Sequence, residues 1–215
     1  MVMTEFWERN FREKREMWGL VPTQSAQLTA AMFADKGIKN VLIPGIGYGR
    51  NAQPFLSNGM GIAGIEISET AIALAAKHLG AGANIHHGSV TGMPFDDTLY
   101  DGIFSHALIH LLDEQERAAF IKSCYDQLTD NGCMVMTAIA KKAPSYGRGT
   151  LLSPDRYEQH GGAKIFFYDE ASIYREFGSY GLTGISEVME NHPLYMITCN
   201  KGAQVSTLHT SKRLG

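Results

Sequence analysis

The run Val41-Leu42-Ile43-Pro44-Gly45-Ile46-Gly47-Tyr48-Gly49-Arg50-Asn51 constrains the chain more than any other: an apolar stretch breaks into three alternating glycines. A buried strand that ends this way lets the backbone approach a ligand closely, and a following helix points its free N–H groups at the same place. A second apolar run, Gly61 to Ile65, ends at Glu66, twenty-one positions after Gly45. In a doubly wound sheet such a carboxylate is held against ribose hydroxyls. The combination reads as a nucleotide-binding turn.

Which nucleotide it takes depends on the glycine spacing. The third glycine of a dinucleotide fingerprint would fall at Arg50, and the chain places its glycines at Gly45, Gly47 and Gly49 instead. This spacing resembles motif I of the class I S-adenosylmethionine-dependent methyltransferases. A plain tight connection is the alternative reading of the turn taken alone.

The elements that follow keep the order of a parallel sheet. Ser68 is placed to cap a helix in which Ile72, Ala76 and Leu79 recur at helical spacing, and Gly80 to stop it. A short strand, Asn84 to Val90, leads to Met93-Pro94-Phe95, and a further strand, Tyr100 to Phe104, ends at Ser105. Asp113 and Glu116 form a capping box for a helix whose Phe120, Ile121, Cys124, Tyr125 and Leu128 share one side. Asn131-Gly132 turns the chain into the strand Cys133 to Ile139. Asp169 then caps a helix that Gly181 ends, and two strand-like runs, Leu182 to Met189 and Leu194 to Asn200, flank the turn-forming Glu190-Asn191-His192-Pro193.

From Val41 to Ile139 the ordered motifs together are similar to the class I methyltransferase core. That resemblance implies an α/β fold with a doubly wound, seven-stranded, mostly parallel sheet that ends in a C-terminal antiparallel hairpin. The expected organisation is one domain over 1–202, with a helical cap at 1–36, a cofactor-binding core at 37–140, a lid-like insert at 141–168 and a helix with hairpin at 169–202; 203–215 reads as a polar tail. Phe6-Trp7-Glu8-Arg9-Asn10-Phe11, Met17-Trp18-Gly19 and Gly49-Arg50-Asn51 are together similar to the thiopurine, halide and tellurite-resistance group of small-molecule methyltransferases. By that likeness Trp18 covers a cofactor near its sulfonium, where an aromatic face attracts a cation. Phe6 and Phe11 read as a helical face packed on the sheet.

The cofactor implied is S-adenosylmethionine, with S-adenosylhomocysteine as product. Its expected contacts are Trp18, Gly45, Gly47, Gly49, Asn51, Glu66, Ile67, Ser89, Val90, Met93 and Ser105. Two positions depart from the family pattern: Ile43 and Ser89 stand where many relatives carry acids. His106 is the candidate proton acceptor. His110 stands four residues on, where a helix would put both rings on one face, a spacing that can bind metal but lacks a third ligand here. No metal is expected. The insert, rich in Gly, Pro and Tyr, reads as a long loop beside the acceptor pocket. Tyr146, Arg148, Arg156, Tyr157 and His160 are its candidate substrate residues, the arginines favouring an anion.

Composition narrows the class further. An apolar content of 44% over 215 residues suits one large core, and a net charge of -3 argues against a polyanionic partner. Neither an apolar run of about eighteen residues nor an apolar secretory segment occurs, so no membrane contact and a cytoplasmic protein are expected. Cys124, Cys133 and Cys199 each sit within an apolar pattern and read as buried free thiols. A small-molecule substrate and no nucleic acid follow as the expected partners. A nicotinamide-dependent oxidoreductase and a non-catalytic S-adenosylmethionine-binding module remain the rival readings.

Overall fold

The structure, a computed structural model, describes residues 3–159 and 161–202. His160 and the expected polar tail at 203–215 lie outside the described residues. Five parallel strands, β1 (Asn40–Pro44), β2 (Gly61–Glu66), β3 (Ala83–His87), β4 (Tyr100–Ser105) and β5 (Leu128–Ile139), are joined at the β5 edge by an antiparallel hairpin. The hairpin strands are Leu182–Met189 and Pro193–Asn200, here β9 and β10, separated from β5 by three short strands of the insert. The sheet order is β3-β2-β1-β4-β5-β10-β9, the expected seven strands. Successive strands diverge between β1 and β4, and the carboxyl ends on either side of that switch point frame a crevice.

Helices cover both faces because β1, β4 and β5 are buried on both sides. One face takes Ala26, Ala30 and Phe33 of α2 (Gln24–Asp35) and Phe55 of α3 (Gln53–Ser57). The other takes Phe120, Ile121 and Cys124 of α5 (Glu114–Asp126) with Ile173 and Phe177 of α6 (Glu170–Phe177). Thus α2, within the stretch read as a cap, is a core helix. The capping box of Asp113 and Glu116 forms in both directions, and Asp169 pairs likewise with Ser172. All three cysteines are buried and free.

Three expectations are corrected. In α4 (Glu69–Leu79), capped by Ser68, the buried residues are Ala71, Leu74 and Ala75 rather than Ile72 and Ala76. The phase shifts because α1 (Met3–Lys14) lies on α4: Phe11 and Tyr48 pack on Ala71 and Leu74. Phe11 therefore sits on a helix and not on the sheet. The insert is not a plain loop: β6 (Thr150–Ser153), β7 (Arg156–Gln159) and β8 (Ala163–Phe166) form a three-stranded antiparallel sheet. Strands of four residues between glycines and prolines leave too short an alternation to read. Among the described residues no helix is long and apolar enough to cross a membrane.

Candidate active site

A cavity of about 790 Å³ opens at the carboxyl ends of the parallel strands. On the β2 and β3 side its wall is made by Glu66, Ile67, Gly88, Ser89 and Val90. Phe6, Trp7, Phe11, Met17 and Trp18 enclose it from the N-terminal segment. On the β5 and β10 side the wall is His106, His110, Ile139, Ile165, Glu190, Asn191, His192 and Leu194.

The glycine turn is tied to β2. Gly45 and Ile46 donate to the carbonyl of Ile65 at 2.8 and 3.2 Å, and Gly47 donates to Oε2 of Glu66 at 2.9 Å. Oε1 of Glu66 accepts from the amides of Ile67 at 2.8 Å and Ser68 at 2.9 Å. Burial pushes this carboxyl above its ordinary range, against those three amides. Gly47 has φ +58°, and a Cβ there would meet nothing nearer than Phe11 at 3.9 Å. Gly49 differs: at φ +84° its Cβ would lie 2.7 Å from the Leu79 side chain, and it is absent from the cavity wall. Its lack of a side chain lets Leu79 of α4 approach, a packing reason for glycine at this position.

Four side chains, Glu8, Tyr48, Arg50 and Asn51, hold the N-terminal segment. The Glu8 carboxylate accepts from Ser68 Oγ at 2.6 Å and from Thr70 Oγ1 at 2.5 Å, latching α1 to the start of α4. Those hydrogen bonds hold its pKa at about 2. Trp18 stacks on Tyr48 with ring centroids 6.2 Å apart and planes at 15°. The Tyr48 hydroxyl donates to the Gly19 carbonyl at 2.7 Å and accepts from the Trp18 amide at 3.2 Å. Arg50 donates to the Trp18 carbonyl at 2.7 Å, and Asn51 Oδ1 accepts from the Thr23 amide at 3.0 Å. Asn51 thus reaches the cavity wall while fixing the entry to α2.

At the far end the expected helix through His106 and His110 does not form. Ala107 takes φ +52°, its amide donates to Thr137 Oγ1 at 2.8 Å, and only a short 3-10 turn, Ile109–Leu111, follows. Both rings still reach the cavity wall. His106 Nδ1 lies 3.1 Å from Thr137 Oγ1 and 3.2 Å from Ser25 Oγ; its Nε2 lies 3.5 Å from Oε2 of Glu190. Glu190 Oε1 accepts from the Ser25 amide at 2.9 Å. His110 Nδ1 accepts from the Ile139 amide at 3.2 Å. Burial, partly opposed by Glu190, lowers His106 to about 4, and burial lowers His110 to about 3. Both rings are neutral near pH 7. Among the described residues no third ligand joins them to make a metal site.

Several expected residues lie elsewhere. Met93 packs in the core with Ile65 and Val90, and Ser105 Oγ donates to the Pro44 carbonyl at 3.1 Å, bridging β1 and β4. Neither is on the cavity wall. Tyr146 and Tyr157 pack edge-on against Phe167 and each other, and Tyr146 donates to Asp155. Arg148 lines a separate groove with Lys142, Met189, Asn191 and His192. Arg156 lies in β7, off the cavity. The insert reaches the acceptor end through the small apolar side chains of Ala163 and Ile165. Glu190, Tyr48 and Ser25 were not legible as site residues; an acid in a tight hairpin turn was the one signal for Glu190.

A family described as "Methyltransferase domain" matches residues 41–132. No curated protein matches the chain. Solved structures of similar fold include the 1,6-didemethyltoxoflavin-N1-methyltransferase of Burkholderia thailandensis with bound 1,6-didemethyltoxoflavin and S-adenosylhomocysteine. It is 16% identical with a TM-score of 0.74, covering 93% of this chain and 87% of that one. The magnesium protoporphyrin IX methyltransferase of Synechocystis with bound SAM is 13% identical with a TM-score of 0.65, covering 94% and 98%. A glycopeptide N-methyltransferase complexed with S-adenosyl-L-methionine is 15% identical with a TM-score of 0.59, covering 83% and 96%. Residues 41–132 of this chain therefore match a methyltransferase domain, and the chain has the α/β fold of these methyltransferase structures.

Proposed function

We propose that the chain, as one unit over residues 1–202, transfers a methyl group from S-adenosylmethionine to a small-molecule acceptor. The observation that carries this reading is the union of Gly47 and Glu66 on the wall of one cavity. At about 790 Å³ that cavity falls in the range of small-molecule sites, roughly 300–1,000 Å³. The residues fit the cofactor: Gly47 leaves open space where any other residue would project a side chain, and Glu66 presents a buried carboxylate for ribose hydroxyls.

Ile67, Ser89 and Val90 hold the adenine, and the Ser89 hydroxyl supplies a hydrogen-bonding group there. Trp18, braced by Tyr48, covers the sulfonium side. The cofactor brings an electrophilic methyl group on a positively charged sulfur. The chain's contribution is to exclude water and align the acceptor, which supplies much of the acceleration in a displacement of this kind. His106 takes the acceptor's proton. The small-molecule acceptor is supported by the largely buried His106, His110 and Glu190 at the far end and by the neighbour whose structure holds 1,6-didemethyltoxoflavin. The narrower likeness to the thiopurine, halide and tellurite-resistance group rests on the aromatic N-terminal segment and Gly49-Arg50-Asn51.

Calorimetric titration with S-adenosylmethionine and S-adenosylhomocysteine, with NAD as control, tests the proposal. Micromolar binding of both sulfur nucleotides and none of NAD is expected. Binding of NAD alone would replace it with a dehydrogenase reading.

A further inference from the structure

Resting on that reading, we infer that the acceptor is a compact, uncharged molecule with an ionisable O–H or N–H, and that Glu190 with His106 both selects it and receives its proton. Nε2 of His106 and Oε2 of Glu190, 3.5 Å apart, form a pair of proton acceptors on the cavity wall. Side-chain exposures of 16% and 11% keep them largely out of bulk water, where their interaction is screened little.

The surroundings of Nδ1 allow the pair to work. Its two neighbours, Ser25 Oγ and Thr137 Oγ1, are hydroxyls, which accept as readily as they donate. With the ring proton on Nδ1, Nε2 offers its lone pair. The acceptor's X–H bond then breaks with its proton passing to Nε2, and its electron pair forms the X–CH3 bond. The C–S bond of the methyl sulfonium breaks with its pair left on sulfur. Glu190, fixed by the Ser25 amide, compensates the imidazolium.

Charge placement sets the substrate class. The carboxylates Glu190 and Glu116 and the ring of His192 line the cavity, and burial keeps His106 and His110 neutral. Of the cationic wall residues, Lys14 bonds Asn10, and Arg50 bonds the Trp18 carbonyl while its charge still reaches His106. An anionic acceptor placed against Nε2 of His106 would meet like charge at Oε2 of Glu190, 3.5 Å from that nitrogen, which reverses the preference read from Arg148 and Arg156. His110 adds a neutral donor. Because Nδ1 accepts from the Ile139 amide, the ring proton resides on Nε2, which bonds no described residue and suits a carbonyl or ring nitrogen of the acceptor.

The test is calorimetric binding of three phenols, 4-hydroxybenzamide, 4-hydroxybenzoate and tyramine, to the full chain with and without S-adenosylhomocysteine. The uncharged amide should bind at least about tenfold more tightly than the carboxylate, a difference of roughly 1.4 kcal/mol. Glu190→Gln, which keeps an oxygen for the Ser25 amide, should shrink that ratio about tenfold. Equal binding of the carboxylate, or an unchanged ratio in the variant, would overturn the inference. So would failure of all three phenols to bind a chain that binds S-adenosylhomocysteine. A chain that does not bind S-adenosylhomocysteine would instead remove the cofactor reading on which the inference rests.

Discussion

Oε2 of Glu66 accepts a hydrogen bond of 2.9 Å from the Gly47 amide, so the residue that ends β2 also shapes the turn that ends β1. Glu66→Gln keeps one oxygen for the Ile67 and Ser68 amides but sets an NH2 group against the Gly47 N–H. Affinity for S-adenosylhomocysteine should fall by roughly 1.5–3 kcal/mol, the value of a hydrogen bond to a charged group. The melting temperature should change little, because the cost of burying the charge is relieved at the same time. Calorimetry and a thermal melt read the two effects separately, and undiminished affinity would rule out the ribose contact.

The two glycines flanking Tyr48 should fail differently. Gly47→Ala points its methyl group into open cavity space, so nucleotide binding should weaken at least about tenfold, with roughly 1 kcal/mol lost to the left-handed backbone. Gly49→Ala carries the same backbone strain and also drives Cβ into Leu79. Its unfolding free energy should therefore drop further, while the affinity of the folded fraction stays near that of the unsubstituted chain. Urea unfolding and titration of both variants decide between these assignments.

Local features were readable in the sequence and long-range ones were not. The glycine turn, the Asp113 box and the closing hairpin are set by residues within a few positions of one another, where turn and capping chemistry act, and Glu66 is marked by its place at the end of an apolar run. Glu190 reaches the site because β10 pairs antiparallel with β5, Leu194 opposite Ile139, which brings the hairpin turn to the cavity. No spacing rule encodes that return. Tyr48 was hidden as the variable residue between two motif glycines. The helix expected at His106 gives way to a positive φ at Ala107, held by Thr137 thirty residues on.

Arg117 and Glu176 illustrate the same gap in the core. Nε and Nη2 of Arg117 donate to Glu176, Nη1 donates to the Leu112 carbonyl at 3.2 Å, and the guanidinium lies 3.9 Å over the Phe166 ring. The Tyr168 hydroxyl also donates to Glu176 at 2.8 Å. Glu176→Ala would leave a buried cation and a buried hydroxyl unpaired, at a cost of about 3–5 kcal/mol. Adding Arg117→Met should recover part of that loss. A double-mutant cycle in urea checks it, and strictly additive losses would show that the two residues do not act as a pair.

Acid should destabilise the fold through the two cavity histidines. Unfolded, each ring takes a proton near pH 6.5, whereas burial lowers His106 to about 4 and His110 to about 3 in the folded chain. Both folded values are depressed, so the unfolded state binds more protons throughout the interval between them and 6.5. Stability is therefore fully present above pH 6.5 and falls as pH drops, by roughly 1.4 kcal/mol per pH unit for each ring. Glu8 and Asp169, both held at about 2, contribute the same sign only below their unfolded values near 4. Between pH 6.5 and 5 the histidines consequently dominate this loss among the strongly shifted groups. In His110→Asn, Oδ1 can replace Nδ1 as acceptor for the Ile139 amide while one titrating ring is removed. Urea unfolding at half-unit pH steps should show the slope reduced by about half in this variant. An identical slope would mean that His110 is already protonated in the folded chain, or that its ring is not buried.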